Sequence, residues 1–244
     1  MTPPQHPALA VPPPAGPVRA VAVLLHGGRA RSTAPVRARQ LAVVRMLPFD
    51  RALRQAGAAH GLAVARLRYL VRGWNGPQRS PVPDAQWALD TLSERYPGAP
   101  VALIGHSMGG RTALYVADDP AVEVVVGLAP WIEDGDPVDT LLGRRVLLAH
   151  GTHDRMTSAS ATARYAELAG RVATSVSFVS VDSASHAMLR RAEVWHRLTA
   201  EFVAGALFGE PVARDGNVTV KGTSGDATTN VVLKALAGEA SLVV

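Results

Sequence analysis

Gly105-His106-Ser107-Met108-Gly109 places a serine between two glycines in a G-x-S-x-G pattern. An apolar run, Val101–Ile104, ends at Gly105, and a helix-compatible segment over Thr112–Ala117 follows. That order reads as strand, tight turn and helix, with the serine at the apex. A serine lifted onto such a turn has little room around its backbone, so side chains at positions 105 and 109 would clash. The helix behind it aims backbone N–H groups at negative charge forming beside the hydroxyl. The chemistry on offer is nucleophilic attack by a serine oxygen. The pattern alone is weakly specific, because an ordinary strand-to-helix turn with a small polar residue looks the same. Its flanks and its downstream partners carry the reading.

A serine hydroxyl needs a base to take its proton, and the base needs an acid to hold its tautomer. In one doubly wound arrangement built around a G-x-S-x-G serine, the chain order is Ser, then Asp or Glu, then His. Of the eight histidines, His186 and His196 lie well downstream with a strand in between. His186, in Ser183-Ala184-Ser185-His186-Ala187, follows the last strand-like segment where a helix begins, and is the expected base. His196 sits mid-helix beside Trp195 and reads as a partly buried helix residue. The acid candidates are Glu133, Asp134, Asp136, Asp139, Asp154 and Asp182. Asp154 emerges at the carboxyl end of a parallel strand, where sites in open α/β sheets lie. Asp182, close before His186, fits a turn former. Glu133 or Asp134, one strand earlier, competes with Asp154. An oxyanion would need two backbone donors. Met108 N–H supplies one, and the turn Gly27-Gly28-Arg29 supplies the other. His150, His153 and Asp154 are spaced closely enough to suggest zinc, but no H-E-x-x-H accompanies them.

The elements that must position these groups alternate along the chain. Strands are expected over Val18–Leu25, Leu62–Tyr69, Val101–Ile104, Val122–Leu128, Arg145–Ala149 and Ser175–Val181. Helices are expected over Pro48–Ala59, Ala85–Tyr96 with Asp84 as N-cap, Thr157–Leu168 and Ala187–Phe208. Continuous apolar strands alternating with helices indicate an α/β, doubly wound, mostly parallel sheet with helices on both faces. Residues 1–17 read as a Pro-rich, PPII-leaning lead-in, 18–209 as the catalytic-type domain, and 210–244 as a Gly/Thr/Asn-rich appendage or tail. The appendage holds strand-like pieces at Asn217–Lys221 and Asn230–Leu236.

Composition narrows the classes. The 244 residues are 48% hydrophobic, enough for one large domain with a full core. The absence of cysteine excludes disulfides, thiolate catalysis and Cys-based zinc sites. The net charge of +5 comes almost wholly from scattered arginines without aromatic-basic interleaving, so no nucleic-acid partner is expected. No secretory signal and no apolar run long enough to span a bilayer are evident, so a cytoplasmic protein without a membrane partner is expected. Neither metal nor cofactor is called for, and the partner is a small-molecule substrate. Trp74, Trp131 and Met156 flank the expected mouth as substrate-lining candidates or as core.

Gly105-His106-Ser107-Met108-Gly109-Gly110, His26-Gly27-Gly28, His150-Gly151-Thr152-His153-Asp154 and Ser185-His186 together resemble the α/β-hydrolase superfamily over about Val18–Phe208. Within it the chain is most similar to small bacterial dienelactone-hydrolase-like or esterase-like members. The resemblance implies an eight-stranded type of sheet, shortened at its first strands. It also implies Ser107 as nucleophile, Asp154 as acid, His186 as base, and Gly28, Arg29 and Met108 as oxyanion donors. The expected activity is cleavage of an ester-type acyl bond. Acyltransferases, thioesterases and peptidases share these motifs, and a non-catalytic binding protein of the same fold is the rival from another class. Many relatives carry a helical lid before the acid-bearing strand. Here Ala129–Arg144 leaves only sixteen residues, so the lid is expected to be minimal or absent.

Overall fold

The computed structural model describes residues 7–14, 16–209 and 241–243. Eight strands form one sheet: β1 Ala8–Ala10, β2 Ala20–Leu25, β3 Leu62–Arg68, β4 Val101–His106, β5 Val122–Leu128, β6 Arg145–Gly151, β7 Ser175–Val181 and β8 Ser241–Val243. Their spatial order is β1-β3-β2-β4-β5-β6-β7-β8. All neighbours run parallel except β1, which lies antiparallel to β3 at the edge. The helices are α1 Leu41–Val44, α2 Leu47–Gly57, α3 Pro81–Arg95, α4 Met108–Tyr115, α5 Ala159–Ala169 and α6 Ala192–Phe208.

Period-two alternation within the fully buried strands splits the core into two layers. Ala22, Leu24, Ile104, Val126 and Leu147 face α2 and α6, where Phe49, Leu53, Trp195 and Phe202 complete the packing. Val23, Leu25, Leu103, Val125 and Leu148 face the other way, onto Leu89 and Leu92 of α3, Leu114 of α4 and Tyr165 of α5. The chain runs from β2 outward to β3, then returns across β2 to place β4 on its other side. The crevice beyond the carboxyl ends of β2 and β4 is therefore the topological switch point, where open α/β sheets bind ligands. Gly27 follows β2 there, and Ser107 follows β4.

Several elements differ from the sequence reading. Within the lead-in, Ala8–Ala10 pair with Arg66–Arg68 of β3. The flanking prolines are tolerated because an edge strand leaves one side unpaired. Helix α3 begins at Pro81, so Asp84 lies in its first turn rather than at its cap. Asp84 Oδ2 instead accepts Leu70 N–H at 2.7 Å, tying the helix to the end of β3. Helix α5 starts behind Ser158, whose Oγ accepts Ala161 N–H at 3.1 Å. Helix α6 starts at Ala192 rather than Ala187, because Met188 (φ 56°) and Arg191 (φ 53°) hold left-handed backbone that no α-helix accommodates. The connection Ala129–Arg144 contains one 3-10 turn, Asp139–Leu141, and no α-helix. In the appendage, Ser241–Val243 extend the sheet beside β7, while Asn217–Lys221 and Asn230–Leu236 lie outside the described residues. Among the described residues no helix is long and apolar enough to cross a membrane.

Candidate active site

Ser107 sits at the apex of the β4–α4 turn with φ 56° and ψ −118°. That is left-handed backbone for a residue with a Cβ, a strain of about 1–3 kcal/mol. The turn persists because everything around it is closely packed. A Cβ on Gly105 would lie 2.1 Å from Gly109 O, and a Cβ on Gly109 would lie 2.1 Å from Leu25 O. Ser107 N–H donates to Leu128 O at 3.0 Å, and its carbonyl accepts Arg111 N–H and Trp131 N–H, both at 3.1 Å. The strained turn is thus pinned to β5 and to the segment that follows it.

His186 lies on the turn after β7 and faces the serine. Its Nε2 is 3.1 Å from Ser107 Oγ, and its Nδ1 is 2.8 Å from Asp154 Oδ2. An ionised carboxylate only accepts, so Nδ1 carries the proton and Nε2 is left to accept from the hydroxyl. Asp154 leaves the end of β6 with its side chain fully buried. Its Oδ1 accepts Met156 N–H at 2.7 Å and Thr157 N–H at 3.1 Å, while Thr157 Oγ1 donates to Oδ2 at 2.9 Å. Burial pushes this carboxyl up, but hydrogen bonds from His150, His186, Met156 N–H and Thr157 N–H outweigh it. The net effect holds Asp154 well below the usual carboxylate range.

The competing acids go elsewhere. Glu133 is exposed and pairs with Arg111 Nη1 at 2.8 Å, and Asp134 is exposed on the same turn. Asp182 caps its own turn, accepting from Ser183 Oγ and Thr152 Oγ1. His196 packs edge-on against Phe49, in the second turn of α6.

Met108 is the first residue of α4, so its N–H is among those without an intrahelical acceptor. Gly28 lies beside it: a Cβ there would meet Met108 Sδ and Cε at 2.4 Å and Arg72 O at 2.5 Å. Arg29 is a correction to the sequence reading. Its N–H donates to Arg72 O at 2.9 Å, in a bridge between the loop after β2 and the loop after β3, and so is not available to an oxyanion. His26 supports this turn. Its Nδ1–H donates to Gly27 O at 2.7 Å and its Nε2 accepts Tyr69 N–H at 3.3 Å, so both nitrogens are committed in the neutral form. Burial pushes its pKa down to about 4. His106 Nε2–H donates to His186 O at 2.9 Å and fixes the turn that carries His186. Burial, with the charges of His186 and Arg45 adding, pushes His106 down to about 3.

The expected substrate-lining residues separate. Trp74 is buried, its ring 4.4 Å from the Arg111 guanidinium, which makes it support rather than lining. Trp131 meets the same guanidinium at 4.8 Å, its ring edge-to-face with that of Trp74, and is half-buried. Met156 is exposed next to Asp154. A cleft of about 940 Å³ opens between the loops that follow β2 and β3, lined by Arg31, Ser32, Asn75, Gln78, Ser80 and Asp84 among others. Its lining includes neither Ser107 nor His186.

Residues that sequence reasoning missed complete the surroundings. Arg111, on the first turns of α4, is buried and held by Asp136 Oδ1 at 2.7 and 3.0 Å. Tyr115 Oη donates to the same oxygen at 2.8 Å. This knot fastens the Trp131–Pro137 segment against α4, behind the serine. His150 was legible only as a possible metal ligand. It is buried, with Nε2 3.2 Å from Asp154 Oδ2. Its i, i+4 spacing from Asp154 is the signal that pairs them. His153 is exposed, and among the described residues no group of three or more His, Asp or Glu side chains is arranged to hold a metal.

Residues 71–146 match the family model described as serine aminopeptidase, S33. No curated protein matches the chain. Among solved structures, an alpha-beta serine hydrolase homologue from Coxiella burnetii is similar at 17% identity and TM-score 0.59, covering 79% of this chain and 89% of that one. Est1E from Butyrivibrio proteoclasticus, solved with ferulic acid bound, is similar at 13% identity and TM-score 0.60, covering 82% and 94%. A Paleococcus ferrophilus monoacylglycerol lipase is similar at 18% identity and TM-score 0.60, covering 83% and 100%. At these identities the likeness is one of fold.

Proposed function

We propose that this chain, which has the α/β-hydrolase fold, is a serine hydrolase that cleaves an ester-type acyl bond of a small substrate through an acyl-enzyme. The observation that carries the reading is the unbroken line of hydrogen bonds from Ser107 Oγ through His186 to Asp154. In this reading His186 Nε2 takes the hydroxyl proton as Ser107 Oγ attacks the carbonyl carbon. The negative oxygen of the tetrahedral intermediate rests on the N–H groups of Met108 and Gly28. His186 then gives the proton to the leaving oxygen as the acyl–oxygen bond breaks. Water, deprotonated by His186, attacks the ester on Ser107 and regenerates the enzyme. Asp154 stays ionised throughout, keeping Nδ1 protonated and stabilising the imidazolium.

The absence of a helix in Ala129–Arg144 supports an open mouth and short or bulky substrates over long lipid chains. The named neighbours, which include a lipase and a protein that binds ferulic acid, span both kinds. The family description favours a second reading, in which the leaving group is an amine and the enzyme a peptidase. A panel of p-nitrophenyl esters of increasing chain length, thioesters and aminoacyl p-nitroanilides separates the two. Short-chain ester turnover that disappears in Ser107→Ala is expected. Turnover of the anilides alone would move the assignment to the peptidase, and long-chain esters far outpacing short ones would contradict the open mouth.

A further inference from the structure

Asp154 Oδ2 serves two imidazoles. His186 Nδ1 lies 2.8 Å away and His150 Nε2 lies 3.2 Å away. The second ring is 1% exposed, and its remaining nitrogen, Nδ1, is 2.9 Å from the buried Thr162 Oγ1. Two runs of hydroxyl, imidazole and carboxylate thus converge on one oxygen: Ser107–His186–Asp154 from the solvent side, and Thr162–His150–Asp154 from the interior. The protonation pattern of the inner run follows from its ends. The carboxylate only accepts, so His150 Nε2 carries the proton. In the neutral ring Nδ1 then accepts Thr162 O–H, which is nearer to it than to the alternative acceptor, Ser158 O at 3.2 Å. The Ser107 reading makes no use of His150.

We propose that His150 is a positioning residue: its Nε2–H holds Asp154 Oδ2 in line with His186 Nδ1 and draws charge from that oxygen, setting how tightly His186 holds its proton. The physics is a shared acceptor. Each added donor lowers the charge available to the others, so a carboxylate that loses His150 binds the His186 N–H more strongly. His186 then becomes the stronger base in its resting state. The carboxylate also loses one of the contacts that fix its orientation, the others being Met156 N–H, Thr157 N–H and Thr157 Oγ1.

Other groups facing His186 are retained in every variant, although Thr157 Oγ1 also lies 3.3 Å from His150 Nε2. They are Thr157 Oγ1 at 3.2 Å from its Nδ1, Ser107, and the ring of His106 at 4.8 Å between centroids. Arg45, whose charge reaches His106, adds from the junction of α1 and α2.

The kinetic part of this inference rests on the Ser107 reading above; the titration part does not. The test is 15N NMR of the histidine rings against pH in the wild type, His150→Leu and His150→Gln, with His186→Gln to assign the resonance. In the wild type, His150 is expected with Nε2 protonated and Nδ1 as an acceptor. In His150→Leu the His186 midpoint is expected to rise above that of the wild type. In His150→Gln, whose amide N–H reaches the place of Nε2, it should return close to wild type. Ester turnover should follow: kcat down about tenfold in His150→Leu with KM little changed, the acid limb of the kcat/KM profile moved with the NMR midpoint, and recovery in His150→Gln. A wild-type His150 protonated at Nδ1 alone overturns the inference even where the leucine variant does not fold. So does an unmoved His186 midpoint in a folded His150→Leu, or an equal shift in both variants. Failure of the Ser107 reading shows itself separately, as a wild type without Ser107-dependent turnover, and the ring titration still decides the role of His150.

Discussion

Lowering the pH from about 7 to about 5 should strip this protein of about 4 kcal/mol of stability, most of it through His26 and His106. Both rings are buried and hydrogen-bonded as neutral species, with pKa values pushed down to about 4 and about 3. In the unfolded chain each titrates near the ordinary value of 6.5. Below that value the unfolded chain binds more protons than the folded one, so stability falls as the pH falls. The loss runs from 6.5 down to about 4 for His26 and down to about 3 for His106. Across the upper part of that window each ring contributes about 2 kcal/mol, while unfolded-state carboxylates remain largely ionised and add little. His196, also pushed down by burial, adds in the same direction. The low carboxyl of Asp154 acts later, withdrawing its stabilisation only as the pH falls below the ordinary carboxylate range. The assay is urea unfolding followed by circular dichroism at the two pH values, in the wild type, His26→Asn and His106→Gln. The side-chain amides keep the donors to Gly27 O and His186 O but cannot titrate. Each variant should lose about 2 kcal/mol less than the wild type over the interval, whatever its own stability near neutrality. A wild type that loses under about 1 kcal/mol, or variants that lose as much as it does, would refute the reasoning.

Other outcomes follow from single contacts. Gly109→Ala sets a methyl 2.1 Å from Leu25 O, backbone that cannot give, and should lower stability by about 2–4 kcal/mol in thermal unfolding with a matching loss of Ser107-dependent turnover. Arg111→Leu leaves Asp136, 1% exposed, without its cation, and should cost about 3–5 kcal/mol by urea unfolding. Restoring much of that loss in the double variant Arg111→Leu/Asp136→Leu would identify the orphaned charge as its source. Asp154→Asn keeps the shape but no longer selects the Nδ1–H tautomer of His186, and should lower kcat by about a thousandfold or more with KM little changed. Full activity in that variant would return Glu133 or Asp134 to consideration.

Val122–Leu128 was legible because burial on both faces writes it as a nearly continuous apolar run, and Ser175–Val181 because it alternates; both match their expected bounds. The elbow was legible because steric need leaves glycine at 105 and 109, and Asp154 because strand ends of a parallel sheet gather on one edge. Pairings that cross the chain were not. Arg29 looked like an oxyanion donor because local sequence does not announce that its N–H is spent on Arg72 O, in a distant loop. Arg111 reads as a solvated helix charge until Asp136, Trp74 and Trp131 are folded around it. The start of α6 was misplaced because left-handed backbone at Met188 and Arg191 leaves no trace in residue type. The pairing of His150 with Asp154 went unread for the same kind of reason. In a turn rich in His and Asp, only the register of β6 shows that its ring faces inward.

The assignment of Ser107 as nucleophile is open to direct chemical test. The folded protein is treated with a fluorophosphonate, which phosphonylates a serine oxygen with loss of fluoride only where a neighbouring base has activated it, and the adduct is mapped by peptide mass spectrometry. A single adduct on Ser107 is expected, absent in Ser107→Ala and strongly slowed in His186→Gln. A folded wild type that remains unlabelled, or an adduct on any other serine that persists in Ser107→Ala, would contradict the account.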